Sequence, residues 1–384
     1  MGSWDCDCAI CAGPLSVRRP LSDRPRTARF CRRHPESRPP NEREGSGDGN
    51  DPDEQETDDD DESITSEDEE SSFDPEILTE EDYQWMNTMH TLTVRRNPTA
   101  TNRIDRAFTG IGAVSGPGEY MDSGRINVRI GDDPNFDPEG DNQCYDGAYP
   151  FHWPCYRLLR KAFGCDGDFN MAEKHRLFWT MCRASSMCAY RLDELDHTDI
   201  CFPSEQWWSA VPGLEFLVTN PMDSTGLVDL VRQTIQTIPR PPSRIDLSQR
   251  VKNDPFQRLP AELVENICSF IPADSIFPFV TASWVVNDTL RNNAFWKRQM
   301  GICMPWFFEL LQLLDPSGPE GDARAEELDL KNRDHKKLFL LVDRVTKPRP
   351  FMRGPWMRLA NRRRIWYLCK QLYDRFKSVR LPID

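Results

Sequence analysis

The sequence lacks any run of about 18 apolar residues, the length a membrane-spanning helix needs, and its opening MGSWDCDC lacks the apolar centre of a secretory signal. Gly2 does not begin a myristoylation signal, because Cys6 stands where Ser or Thr is required. A cytoplasmic or nuclear location is expected. In that reducing setting the thirteen cysteines, an odd number, are not read as a disulfide framework, and the clustered ones are better read as metal ligands. Enzyme signatures are missing too: there is no GxSxG, HExxH or kinase set. Gly110, Gly112, Gly116 and Gly118 fit neither a dinucleotide fingerprint nor a phosphate loop and read as turns in a small sheet. Asp166, Asp168 and Asn170 imitate the start of a calcium loop, but Met171 and Leu177 occupy the positions that need Gly and Glu. An enzyme is therefore not expected, and no repeat of solenoid or propeller length occurs.

Positive charge is absent from one stretch. Residues 45–72 carry fourteen Asp or Glu and no Lys or Arg. Removing those fourteen from the 62 acidic residues leaves 48 of each sign elsewhere, so the net charge of −14 belongs to that segment. The segment 36–72, rich in Pro, Gly, Ser and acids, cannot bury enough apolar surface to offset chain entropy and is expected to be a disordered linker. Thr65 and Ser66 each have an acid three residues on and could suit an acid-directed kinase.

What remains is enough for two or three small domains. Residues 1–35 form a Cys-rich segment, and 73–239 a mixed α/β middle domain with a hairpin or small sheet over Ala107–Ile130. Helices are expected from the end of Cys144–Phe163, over Met171–Leu195 and over Leu227–Ile238, with Trp207, Trp208, Phe216 and Leu217 in the core. Pro239, Pro241 and Pro242 open a linker at 240–253, the clearest domain boundary. Everything after it reads as helical: a three-helix module at 254–300, then a C-terminal helical region at 301–384. The expected class is mainly α with a small α+β, zinc-stapled middle domain.

In the module, Pro260 suits a helix start and Glu262 its positive end. Leu259, Leu263, Ile267 and Phe270 or Ile271 share one face. Pro272 ends that helix, and a second, capped by Asp274 or Ser275, carries Ile276, Phe279, Val280 and Trp284. Pro278 argues that it begins nearer Phe277. A third presents Leu290, Phe295, Trp296 and Met300.

The run LPAELVENICSFIPADSIFPFVTASW resembles an F-box domain, with its Leu-Pro-x-Glu-Leu start, Ile-containing first helix and Ala-Ser-Trp ending, and the trailing AFWKRQM is similar to F-box proteins of fungi. About 45 of the 384 residues are covered. The resemblance implies a module that docks on the adaptor of a Skp–cullin–F-box ubiquitin ligase, with Leu259, Pro260, Leu263 and Ile267 at or beside that contact. The alternative for these residues is the core of an ordinary helical bundle. Arg362, Arg363 and Arg364 read as a solvated helix face, so nucleic acid is not expected as a partner.

Cys8 and Cys11 form a CxxC, the spacing that lets two thiolates of one turn reach the same tetrahedral zinc. His152 and Cys155 form an HxxC at the start of a helix, with Pro154 in its first turn. Closing so long a loop adds roughly 2 kcal/mol over a short one, against about 10–16 kcal/mol from a structural zinc. A competing set pairs Cys8 and Cys11 with Cys31 and His34, and Cys6 or Cys144 could substitute for a ligand. Ala12 occupies the position after the second Cys where Gly is usual, displacing it to Gly13. Zinc held by four protein ligands would be structural. The expected function is a non-catalytic substrate receptor for an unknown protein substrate; the alternative is a zinc-stapled scaffold or transcription-associated protein whose acidic segment recruits partners.

Overall fold

A computed structural model describes residues 7–15, 73–96, 104–114, 126–129, 149–185, 192–198, 208, 210–241, 251, 253–271, 273–315 and 332–379. The chain is mainly helical and divides into two compact units, Met1–Met222 with Pro348–Asp384, and Asp223–Lys347. Among the described residues no helix is long and apolar enough to cross a membrane.

The first unit is built on an antiparallel sheet of β1 (Met89–Arg96), β2 (Ile104–Val114), β3 (Ile126–Arg129) and β4 (Tyr149–His152), in the order β3-β2-β1-β4. The expected hairpin is β2 and β3. Strands β1 and β4 were not expected, and Pro150 explains the second omission: a proline cannot donate to a ladder and is tolerated on an edge strand, where β4 lies. All four β4 residues are buried, so no alternation marks it in the sequence. The chain passes from β4 directly into helix α1 (Trp153–Ala162), with Pro154 in the first turn and Leu158, Leu159 and Ala162 buried. Helix α2 (Met171–Ala184) is held at its start by a capping box between Asn170 and Glu173. It is shorter than expected, because Ser185 is already extended. Asp168 accepts the Tyr156 hydroxyl at 2.7 Å and pairs with Lys174 at 2.6 Å, which accounts for it without calcium.

The second unit comprises α3 (Leu227–Thr237), α4 (Ala261–Ser269), α5 (Ala273–Ala282), α6 (Trp284–Thr289), α7 (Asn293–Cys303), α8 (Phe308–Leu314) and α9 (His335–Thr346). Helix α5 begins at Ala273 and not near Phe277, so Pro278 sits inside it. An interior proline costs about 3 kcal/mol; burial of Ile276 and Val280 on the same helix offsets it. Trp284 opens α6 instead of closing α5, because Ser283 breaks the helix and caps the next one through Val286 N–H. Leu290, Phe295, Trp296 and Met300 are all buried. Trp296 stacks on Phe277 at 5.6 Å and meets Phe339 at 5.3 Å, forming the aromatic centre of the unit.

The last helix, α10 (Trp356–Ser378), returns to the first unit and packs against α1 and α2. The units therefore divide differently from the boundaries drawn at 239 and 300. Helix α3 goes with the second unit, where Arg333 donates to the carbonyls of Gln236 and Ile238 and Asp334 N–H to that of Pro239. Helix α10 goes with the first because Asn361 donates to Leu217 and Thr219 carbonyls and Arg362 to that of Pro221. The arginine run is thus no solvated face: Arg362 is 1% exposed and Arg364 5%.

In the second unit Asp254 accepts Ser283 Oγ at 2.8 Å, Val285 N–H at 3.1 Å and Phe256 N–H at 2.9 Å. Burial pushes its carboxyl up, but these donors outweigh it and hold the group below the usual range. Its contribution to stability is full above the unfolded value of about 3.9 and is lost as pH falls through the lower folded value. Asp254→Ala is expected to lower stability by about 1–2 kcal/mol in urea unfolding at pH 7, with the difference from wild type vanishing in strong acid. A pH-independent difference would contradict this account.

Candidate metal centre

The turn Cys8–Ala9–Ile10–Cys11 is closed by Ala12 N–H on the Cys8 carbonyl at 2.8 Å and Cys8 N–H on the Gly13 carbonyl at 2.7 Å. Ala12 supplies the reversal with φ 56°, the left-handed conformation that usually falls to glycine. Gly13 serves a different purpose. A Cβ there would lie 3.2 Å from Met86 Cε and 3.3 Å from Cys11 Sγ, so a larger residue would have to displace one of them by a few tenths of an ångström. The displaced glycine of the sequence is therefore two separate demands met by two residues.

The turn docks on the sheet through Ala9 N–H, which donates to the Pro150 carbonyl of β4 at 2.8 Å. This brings it against the β4–α1 junction, where His152 is the residue before the helix and Cys155 lies in its first turn. The donor atoms of Cys8, Cys11, His152 and Cys155 lie within 4.8 Å of one another, and all four residues are buried. The residues expected from spacing are thus brought together. Cys6, Cys31, His34 and Cys144 lie outside the described residues.

The donor set fits a tetrahedral metal. With zinc–sulfur and zinc–nitrogen bonds of about 2.3 and 2.05 Å, a sulfur and a nitrogen ligand should be about 3.6 Å apart. Cys11 Sγ is 3.4 Å and Cys155 Sγ 3.7 Å from His152 Nδ1. The other ring nitrogen, Nε2, lies 2.9 Å from the Pro14 carbonyl. A carbonyl only accepts, so Nε2 carries the proton and Nδ1 presents its lone pair to the sulfurs. That is the orientation a ligating histidine needs, fixed by a partner outside the ligand shell. Three cysteines and a histidine close the shell of a structural zinc and leave no position for water.

Electrostatics point the same way. Burial pushes the Cys8 thiol up, but hydrogen bonds from Cys11 and Cys155 and from backbone groups overcome this and hold it well below the usual range. Cys155 is driven well above its usual range by burial and by the two neighbouring cysteines. Three buried sulfurs this close cannot all ionise without a cation, and a divalent metal removes that conflict.

Arg364 was missed by sequence reasoning. Its Nη1 donates to the Cys11 carbonyl at 2.9 Å, while Nη2 donates to Asn361 Oδ1 at 3.1 Å. Asn361 in turn holds the Leu217 and Thr219 carbonyls, so α10 ties the metal turn to the hydrophobic cluster around Phe73, Met86 and Phe216. No sequence signal marked Arg364 apart from its place in an arginine run. Trp85 completes the surroundings, with its ring edge-on to His152 at 4.7 Å.

No family model, curated protein or solved structure matches the chain.

Protein purified without chelator is expected to hold one zinc per chain by elemental analysis. Cys155→Ser should lower that content, whereas Cys31→Ser should leave it intact; the reverse pattern would refute the assignment. Arg364→Leu is expected to weaken zinc retention by about 10–100-fold in competition with a chromophoric chelator.

Proposed function

We propose that the protein is a non-catalytic substrate receptor, joining a protein substrate to a Skp–cullin–F-box ubiquitin ligase through the second unit. The observation that carries this reading is the orientation of α4. Val264 and Cys268 turn into the unit, and burial pushes the Cys268 thiol up to about 11, as suits a packing residue. Leu263 is 49% exposed, Ile267 38% and Phe270 86%. Leu259 is half-buried and Pro260 exposed. Leu263 and Ile267, chosen from the F-box resemblance, therefore lie on the outward face, which supports a docking role over one in the core of a bundle.

Leaving three large apolar residues on one short helix in water has a cost. Covering them would gain about 25 cal/mol per Å² of apolar surface, which supports a protein partner on this face. The adaptor is the partner that the resemblance implies. The first unit, with its zinc-stapled sheet and helices, is assigned the substrate side, and the acidic segment the role of a linker. The proposed location is intracellular, in cytoplasm or nucleus.

Full-length protein is expected to co-purify with the adaptor, and Leu263→Asp with Ile267→Asp to abolish that association while leaving the thermal transition within a few degrees of wild type. Retention of adaptor by the double variant would sink the proposal and favour the zinc-stapled scaffold instead.

A further inference from the structure

The second unit also contains a cavity of about 740 Å³, lined by the start of α4, the α6–α7 junction and the first turns of α9. Its charged lining is unequal in sign: Arg291, Lys336 and Lys337 against Asp288 and Asp334. Asp334 is already committed as the N-cap of α9, with Oδ1 accepting Lys337 N–H at 3.1 Å. Arg291 lies over Trp284 at 5.6 Å, and its Nη1 is shielded from solvent with no hydrogen-bond partner. A guanidinium nitrogen without an acceptor leaves the cationic side of the lining incompletely satisfied.

Two further features add to that imbalance. Lys336 and Lys337 lie in the first turn of α9, which contains no acidic residue, so they face the positive end of the helix dipole. The Lys336 ammonium is half-buried, and its nearest recorded partner is Asn287 Oδ1 at a long 3.4 Å. Burial lowers its proton affinity, and neighbouring Arg291 lowers it further against the opposing pull of Asp334. The uncharged lining is mixed: Asn287, Thr289 and Asn292 are polar, while the exposed Leu340 and the aliphatic surfaces of Ala261 and Pro241 give an apolar part.

We infer that this cavity is a binding site for an acidic peptide, with Arg291, Lys336 and Lys337 taking an oxyanion and Leu340 an adjacent apolar side chain. The volume is within the range of about 300–1,000 Å³ typical of ligand sites and exceeds what a lone inorganic anion needs. A peptide accounts for the cationic and apolar parts of the lining together. Nucleic acid is disfavoured because Trp284 is covered by Arg291 and only half-exposed, leaving no open aromatic platform for bases.

The site does not compete with the proposed adaptor face. At about 100° per residue, Ala261 in the cavity wall lies roughly half a turn around α4 from Leu263 and Phe270. Both faces can be occupied at once. The inference goes beyond the receptor reading and does not depend on it.

The test uses the full chain and three labelled eight-residue peptides in fluorescence anisotropy: one with three Glu around a Leu, one with Gln replacing each Glu, and one with phosphoserine replacing the central Glu. At least one anionic peptide should bind about tenfold or more tighter than the Gln peptide. A gain for phosphoserine assigns a phosphoryl group, and equal binding of the two anionic peptides assigns a carboxylate; either supports the site. Arg291→Gln should remove the preference, as should Lys336→Gln with Lys337→Gln; should either not fold, Lys337→Gln alone, at an exposed position, should weaken it. Leu263→Asp with Ile267→Asp should leave peptide affinity unchanged, which separates this result from that of the adaptor experiment. Equal binding of the Gln peptide, indifference to the cavity variants, or displacement of the peptide by a tighter-binding single-stranded RNA that needs the same three cations would each overturn the inference.

Discussion

Three buried sulfurs and an imidazole nitrogen crowded within 4.8 Å set the terms for the first unit. Such a cluster is a burden in an apolar interior unless a cation joins it, because buried thiolates repel and buried thiols make poor hydrogen bonds. With a metal, the same atoms become the strongest crosslink in the unit. Such a crosslink would span the acidic segment in sequence and hold the turn at Cys8 to the β4–α1 junction at His152. Around it the apolar residues Ala9, Ile10 and Leu15 are buried, although so short a segment has no core of its own. Their burial follows from the attachment.

Helix α10 shows how far that constraint reaches. A guanidinium at 5% exposure is tolerable only if its donors are satisfied, and Arg364 meets the condition with the Cys11 carbonyl and Asn361. Arg364 thus takes one of its two partners from the turn, and the Cys11 carbonyl of the turn accepts from that helix. Together with the bonds of Asn361 and Arg362 to the Leu217, Thr219 and Pro221 carbonyls, this contact goes with the placement of residues 348–384 in the first unit, although α9 precedes them in the second.

Parts of this arrangement were legible in the sequence, and others were not, for identifiable reasons. Ligand spacing is local: Cys8–Cys11 and His152–Cys155 are each set by one turn, and Pro154 marks the helix start. The left-handed Ala12 was not legible because the usual signal is a glycine, and the glycine present answers to a packing demand. Strand β4 was hidden by a proline and by burial on both faces. Buried arginines resemble surface ones in a string of letters; only the distant carbonyls they meet distinguish them. The two units do not coincide with the boundaries read from sequence, because proline clusters report local stiffness, whereas units are defined by contacts between remote segments.

Helix α4 raises the same problem in its sharpest form, since periodicity finds an apolar face without saying which way it points. Leu259, Leu263, Ile267 and Phe270 form the larger apolar stripe, and a free helix in a bundle would turn that stripe inward. Here the smaller pair, Val264 and Cys268, is inside. The centre of the unit is filled by Trp296, Phe277 and Phe339 from other helices, and α4 contributes only Val264 and Cys268 to the buried interior. This arrangement keeps Leu263, Ile267 and Phe270 outside. It also leaves Ala261 on the far side of the same helix to line the cationic cavity. One short helix thus presents an exposed apolar stripe on one side and part of a cavity wall with three cations on the other.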